Sequence, residues 1–274
     1  MSGTLYIVAT PIGNLEDITL RAIRILKEAD VIAAEDTRHT LKLLNHLEIS
    51  KPLISYHRHN EESRQDVLID KLEEGQNIAL VSDAGTPGIC DPGEVVIKTC
   101  IEKGINVVPV PGPCAFVNAL ICSGIDTKEF NFLGFLPLNK NNRKQKLEEI
   151  KKSNKTVILY EAPHKLKETL KDLKNIIENR KIVLARELTK IHEEFIRKDI
   201  DELINLAETL KGEVVLIIEG GEEENNENIL INLSIEEHYK HYENMGFDKK
   251  EIIKKIAKDR NVNKNEIYMK FIDK

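Results

Sequence analysis

The chain has 274 residues, 41% of them hydrophobic and 31% charged, with a net charge of −6. That is enough chain for two domains with cores of their own. It holds no apolar stretch of membrane-spanning length, and its acidity excludes a protein that coats nucleic acid non-specifically. The four cysteines, Cys90, Cys100, Cys114 and Cys122, form no Cys-x-x-Cys pair. No metal site is therefore expected. With no N-terminal signal segment, the thiols are read as reduced and the protein as cytoplasmic.

In chain order, residues 5–9 read as a strand, 10–14 as a turn, and 17–27 as an amphipathic helix capped by Asp17 or Thr19. Strands are expected over 31–34, 52–56, 78–81 and 105–110, alternating with helices over 40–47, 62–74 and 94–103. Such alternation predicts a parallel-rich, doubly wound α/β sheet. After the strand at 78–81 comes Ser82-Asp83-Ala84-Gly85-Thr86-Pro87-Gly88-Ile89-Cys90-Asp91-Pro92-Gly93. Glycines allow positive φ and close approach of a ligand, prolines hold the turn rigid, and open α/β sheets bind ligands at this edge. The loop has polar donors and acceptors but no cation, which suits a polar, cationic or zwitterionic ligand better than a triphosphate. Thr10-Pro11-Ile12-Gly13-Asn14 and Pro111-Gly112-Pro113-Cys114-Ala115 also follow strands. A lone Gly-Pro pair is an ordinary turn; three such loops read as one pocket.

Pro111-Gly112-Pro113 is the hinge into a second half. There, strands are expected over 130–135, 156–160, 181–185, 195–197 and 214–219, and helices over 166–179 and 201–210, as a mixed sheet. Domains are thus expected over 1–112 and 113–221, with a linker and small helical basic tail over 222–274. Residues 220–230 read as a flexible linker. Residues 222–237 hold six glutamates and no Lys or Arg, whereas 249–274 hold nine Lys plus Arg against four acids. In that tail Asp248 caps a helix over 249–258, and Asn261-Val262-Asn263 turns the chain into 264–271. The outline is that of a helix-turn-helix. It serves either to lie against RNA or as a packing appendage. A second basic cluster is Lys140, Arg143, Lys144 and Lys146, where a solvated helix face is the plainer reading.

No G-x-x-x-x-G-K-[ST], G-x-G-x-x-G after the first strand, H-E-x-x-H or G-x-S-x-G occurs, so nucleotide hydrolysis, zinc proteolysis and serine hydrolysis lack their parts. Polar clusters at predicted strand ends remain: Glu35-Asp36-Thr37-Arg38-His39, Tyr56-His57-Arg58-His59, Tyr160-Glu161-Ala162-Pro163-His164 and Arg186-Glu187-Leu188-Thr189-Lys190. Each offers either acid–base and substrate-binding groups or structural ion pairs.

The segments ATPIGNLEDITLRA at 9–22, AAEDTRHT at 33–40, LVSDAGTPGICDPG at 80–93, VVPVPGPCA at 107–115, LYEAPHKL at 159–166 and LARELTK at 184–190 carry a resemblance. The chain resembles the tetrapyrrole methylase superfamily of class III S-adenosylmethionine-dependent enzymes, in its branch of bacterial 16S rRNA (cytidine-2′-O)-methyltransferases. The resemblance implies a two-domain α/β fold with S-adenosylmethionine in the cleft. Pro11, Ile12, Gly13, Ala84, Gly85, Thr86, Ile89, Cys114, Ala115, Tyr160, Glu161, Leu188 and Glu213 would contact the cofactor. It implies a homodimer acting on 16S rRNA in the small subunit at the decoding centre. One departure is the first loop, where tetrapyrrole enzymes have G-x-G-P-G and this chain has Thr10-Pro11-Ile12-Gly13-Asn14; the pocket edge should differ accordingly. Methyl transfer to a ribose 2′-oxygen needs alignment or a base. Glu35, Asp36 and Glu161 are candidate catalytic groups, with His57 also able to serve. Arg38, His57, Arg58 and Arg186 are candidate substrate contacts. The rivals are a small-molecule methyltransferase, active without the basic tail, and a non-enzymatic RNA-binding module, which would bind no cofactor.

Overall fold

The structure, a computed structural model, describes residues 2–177, 179–221 and 230–271. It divides into two compact units, Met1–Gly220 and Gly221–Lys274. The two α/β halves expected as separate domains thus lie within one unit, and the tail forms the other. The acidic linker expected over 220–230 falls mostly on 222–229, outside the described residues.

The first sheet joins β1 (Thr4–Val8), β2 (Val31–Ala34), β3 (Leu53–Ser55), β4 (Ile78–Val81) and β5 (Asn106–Val110) in the order β3-β2-β4-β1-β5. Every pairing is parallel. Residues of alternate parity face opposite sides, so a sheet covered on both faces needs continuous apolar strands. In β4, Ile78 and Leu80 pack with Leu68 and Leu72 of α3 (Glu61–Glu73) and Val96 of α4 (Glu94–Glu102). Ala79 and Val81 face the other layer, with Ile25 and Leu26 of α1 (Leu20–Glu28) and Leu44 of α2 (Thr37–His46). The helix expected from residue 17 starts at Leu20. Asn14 first caps a 3-10 turn over Leu15–Asp17, and Thr19, not Asp17, then caps α1 by accepting from the Ala22 amide at 3.0 Å.

The second sheet joins β6 (Phe130–Phe135), β7 (Thr156–Glu161), β8 (Ile182–Arg186), β9 (Glu194–Arg197) and β10 (Val214–Ile218) in the order β6-β7-β10-β8-β9. Only β6 and β7 are parallel, so the sheet is mixed as expected. One face packs under α6 (Lys140–Lys152), α7 (Pro163–Lys174) and α8 (Ile200–Leu206) through Ile150, Leu166, Leu170, Leu173 and Leu203. The other face, Ile158, Val183, Ala185, Val215 and Ile217, packs on Ala119 and Leu120 of α5 (Ala115–Ile121) and on Ile12. The loops of the first half therefore press against the second sheet.

The C-terminal unit holds α9 (Ile235–Asn244), α10 (Lys249–Asp259) and α11 (Lys264–Met269). Asp248 caps α10 as expected, within a reciprocal capping box with Glu251. Ile252, Ile253, Ile256 and Ile267 make its small core, with Tyr239, Tyr242 and Phe247 packed around them.

Candidate active site

Strand order decides which loops meet. Because β4, β1 and β5 are neighbours, the three glycine- and proline-rich loops leave adjacent strand ends. The Thr10 and Gly85 amides donate to each other's carbonyls at 2.8 and 3.0 Å, and the Thr86 hydroxyl donates to the Pro113 carbonyl at 3.1 Å. Gly85 and Gly88 take the left-handed backbone, with φ of 83° and 81°, which costs other residues roughly 1–2 kcal/mol. The expectation of one pocket holds.

These loops and the ends of β6, β7 and β10 enclose a cleft of about 430 Å³, within the roughly 300–1,000 Å³ range of small-molecule sites. Ile12, Ala84, Gly85, Thr86, Ile89, Cys114 and Ala115 line it from the first half. Tyr160, Glu161 and Glu213 line it from the second. The Phe116 amide donates to the Tyr160 hydroxyl at 3.3 Å, tying the β7 end to α5. Gly134, with φ of 63°, lies so close to Cys90 that a Cβ there would sit 2.8 Å from its Sγ. Burial pushes the Cys90 and Cys114 thiols up, away from reactive thiolate character.

Glu35 enters the cleft because β2 lies beside β4, with Ala34 in register with Val81. The next residues bring Glu35, Asp83 and Asp91 into the lining, close enough for their charges to interact. Burial and then the neighbouring Asp83 charge raise the Glu35 carboxyl above its ordinary range. Burial and then the Glu35 charge push Asp91 up to about 6. Carboxylates crowded in this way keep a proton to higher pH than isolated ones. The Arg58 guanidinium donates to the Cys90 carbonyl and partly offsets the shifts on Glu35 and Asp91.

Other expected site residues lie outside the lining. Asp36 caps α2 through the Arg38 amide at 2.8 Å and takes both side-chain bonds from Arg38, which hold its carboxyl well below the usual range. That pairing holds Asp36 in the ionised form and gives Arg38 a carboxylate partner, although Arg38 stays exposed. Arg186 donates to Glu194 at 3.1 Å and to the Lys211 carbonyl at 3.0 Å, a hairpin brace. The His57 amide donates to Asn60 at 2.7 Å, and its buried Nδ1 has no partner among the described residues. Pro11, Gly13 and Leu188 are not in the lining; Pro11 borders a separate small cavity with His39 and Leu43, and Leu188 packs with Ile12. A Cβ on Gly13 would meet the Leu188 carbonyl at 3.0 Å, and Lys190 braces that loop between Glu187 and Glu213 at 2.9 and 3.0 Å.

Glu161 is 5% exposed; it accepts from the Ala162 amide at 2.8 Å and the Thr169 hydroxyl at 2.5 Å. Both bonds direct one carboxylate into the second half, so it acts as a strut at the cleft edge. Thr169→Val should leave a buried carboxylate oxygen short of its donor and cost about 1–3 kcal/mol in a denaturant melt. An unchanged melt would show that the bond contributes nothing. Asp83, Cys90 and Asp91 line the cleft as members of the loop read as part of the pocket but not singled out there, and Phe135, Ala162, Pro163, Val214 and Val215 are lining residues that the sequence-based list of contacts lacks.

The sequence pattern described as Tetrapyrrole (Corrin/Porphyrin) Methylases matches residues 4–204. A Ribosomal RNA small subunit methyltransferase I from Halalkalibacterium halodurans is 54% identical over 270 residues, covering 97% of this chain and 93% of the relative. The protein of the same name from Thermotoga maritima is 46% identical over 222 residues, which is 80% of this chain and all of the relative. Among solved structures, uroporphyrin-III C-methyltransferase from Thermus thermophilus, complexed with S-adenosylhomocysteine, aligns with a TM-score of 0.57 at 16% identity. That alignment covers 79% of this chain and 97% of the other, a likeness of fold. Among the described residues no helix is long and apolar enough to cross a membrane.

Proposed function

The chain belongs to the tetrapyrrole (corrin/porphyrin) methylase family, and from that membership we propose that it is an S-adenosylmethionine-dependent rRNA methyltransferase. Its product is a 2′-O-methylated cytidine ribose in 16S rRNA at the decoding centre of the small subunit. The observation that carries the rRNA reading is 54% identity across 97% of the chain to a relative named Ribosomal RNA small subunit methyltransferase I; the cytidine 2′-oxygen at the decoding centre is carried over from the family resemblance. Action as a homodimer in the cytoplasm is carried over from the family resemblance alone.

The cleft suits the cofactor. At Gly85 a Cβ would stand 3.3 Å from Ile12 Cγ2, so the bare backbone leaves room that a side chain would take. Ala84, Gly85, Thr86, Ile89, Cys114 and Ala115 would hold it from one side, and Tyr160 and Glu213 from the other. S-adenosylmethionine supplies, when bound, an electrophilic methyl on a sulfonium. The carboxylates in the cleft lining favour a cation there. A ribose hydroxyl is a weak nucleophile and must lose its proton. The Glu35–Asp91 pair accepts that proton on this reading. Asp91, whose carboxyl is pushed up to about 6, is matched to a proton transfer near neutral pH, as base efficiency requires.

The test is transfer of labelled methyl to purified small subunits lacking the modification, with naked 16S rRNA alongside. Label on one cytidine ribose is the expected result, and the comparison of substrates shows whether assembled structure is read. No transfer to either, with cofactor binding shown by calorimetry, would move the assignment to a small-molecule methyltransferase.

A further inference from the structure

The C-terminal unit lies outside the residues matched by the family pattern, 4–204. The 222-residue alignment that takes in the whole Thermotoga maritima relative leaves out about as much of this chain as the unit contains. The catalytic fold is therefore complete without it, and its residues need their own explanation.

Its carboxylates are largely engaged. Asp248 and Glu251 form the capping box of α10, Glu237 closes that of α9 with Ser234, and Asp259 accepts from the Tyr242 hydroxyl at 2.6 Å and lies 3.1 Å from His238. Several cations are engaged too. Arg260 donates to His238 at 3.2 Å and to the Leu230 and Leu233 carbonyls. Lys255 lies 4.3 Å from the Phe247 ring centre, and Lys249 donates to the Phe271 carbonyl at 3.2 Å. What is left is one-sided. Ile252, Ile253, Ile256 and Ala257 turn one face of α10 into the core, while Lys250, Lys254 and Lys258 stand exposed at one-turn spacing. Lys264 is exposed on α11, as is Tyr268. Among the described residues no carboxylate pairs with any of these four lysines.

A row of unpaired cations on a small rigid helical unit suits a polyanion with regularly spaced charges. We propose that the C-terminal unit is an RNA-docking module whose Lys250, Lys254 and Lys258 row grips the phosphate backbone of small-subunit rRNA. Phosphate contacts position without reading sequence, so the module supplies affinity and the cleft supplies selection. The inference rests on the rRNA reading of the cleft.

The experiment compares the full chain with a Lys250→Ala, Lys254→Ala, Lys258→Ala triple variant. Binding to small subunits is measured across a salt series, with cofactor calorimetry and a thermal melt alongside. Each phosphate contact adds about 0.7–0.9 to the slope of log K against log salt. The triple variant should therefore flatten that slope by about 2 and weaken binding about 10-fold or more at low salt. Cofactor affinity and melting temperature should stay unchanged, because these side chains leave the core and the cleft untouched. Wild-type protein that binds and methylates subunits beside a triple variant with the same slope and affinity sinks the docking role alone. Wild-type protein that retains no rRNA sinks both the docking role and the cleft assignment.

Discussion

Replacing Asp91 by asparagine is expected to lower kcat for methyl transfer by about 10²–10³-fold near pH 7.5, the loss typical of removing a general base. Cofactor affinity should stay within a few-fold. The same substitution should make the protein more stable at that pH. The folded carboxyl holds its proton up to about 6, against 3.8 for an ordinary aspartate. Its favourable contribution is thus full below pH 3.8, falls as pH rises between those values, and is gone above about 6, where the buried charge opposes folding. The full shift corresponds to about 3 kcal/mol, and half-exposure to solvent cuts this to about 1 kcal/mol. The asparagine side chain carries no such charge, so the variant should melt about 2–4 °C higher at pH 7.5, with the gain disappearing near pH 4. The activity of the wild type should rise with pH through an apparent value near 6 that belongs to the pair. Glu35→Gln removes the neighbouring charge and should move that limb to lower pH, while Asp91→Asn abolishes it. An unchanged acid limb in Asp91→Asn would take the proton-accepting role away from this residue.

The parts of this molecule that were legible beforehand are those where local pattern and tertiary context agree. The strand 78–81 is apolar at every position, which a doubly covered parallel sheet demands, and both faces are filled. The glycine loops could be grouped because each followed such a strand. Helix α6 was legible only as a solvated face over 140–146, because its sequence, KNNRKQKLEEIKK, is polar nearly all round and buries only Ile150, with Leu147 partly buried beside it; so few apolar positions mark no periodicity. The acidic part of the cleft was half visible. Glu35 stood out as a polar residue ending a strand, but its pairing with Asp91 depends on β2 lying beside β4, and sequence order does not state which strands adjoin. Asp36, Arg38 and Arg186 show the opposite ambiguity. Charged residues at strand ends and helix starts satisfy caps and hairpins as readily as they bind substrates, and here each has a partner at 2.7–3.1 Å.

Gly85→Val should abolish detectable S-adenosylmethionine binding, a loss of about 100-fold or more in Kd, and methyl transfer with it. Two effects operate at this position and a matched control separates them. The first is conformational: φ is 83° at Gly85, and an L-residue there costs roughly 1–2 kcal/mol, more for a β-branched one. Gly104, in the turn between α4 and β5, has φ of 70° and nothing within 4 Å of a Cβ. Gly104→Val therefore carries the same backbone cost and should lower the melting temperature by a similar amount, while cofactor affinity stays at the wild-type level. The second effect is steric and local. The added Cβ at Gly85 lies 3.3 Å from Ile12 and 3.7 Å from the Pro113 carbonyl, between two loops that both reach the cleft, so the larger side chain crowds that junction. Calorimetric titration of the two variants, each below its melting temperature, reads the difference directly. Equal cofactor affinity in Gly85→Val and Gly104→Val would mean that the glycine serves the turn alone and that the cofactor does not lie against it.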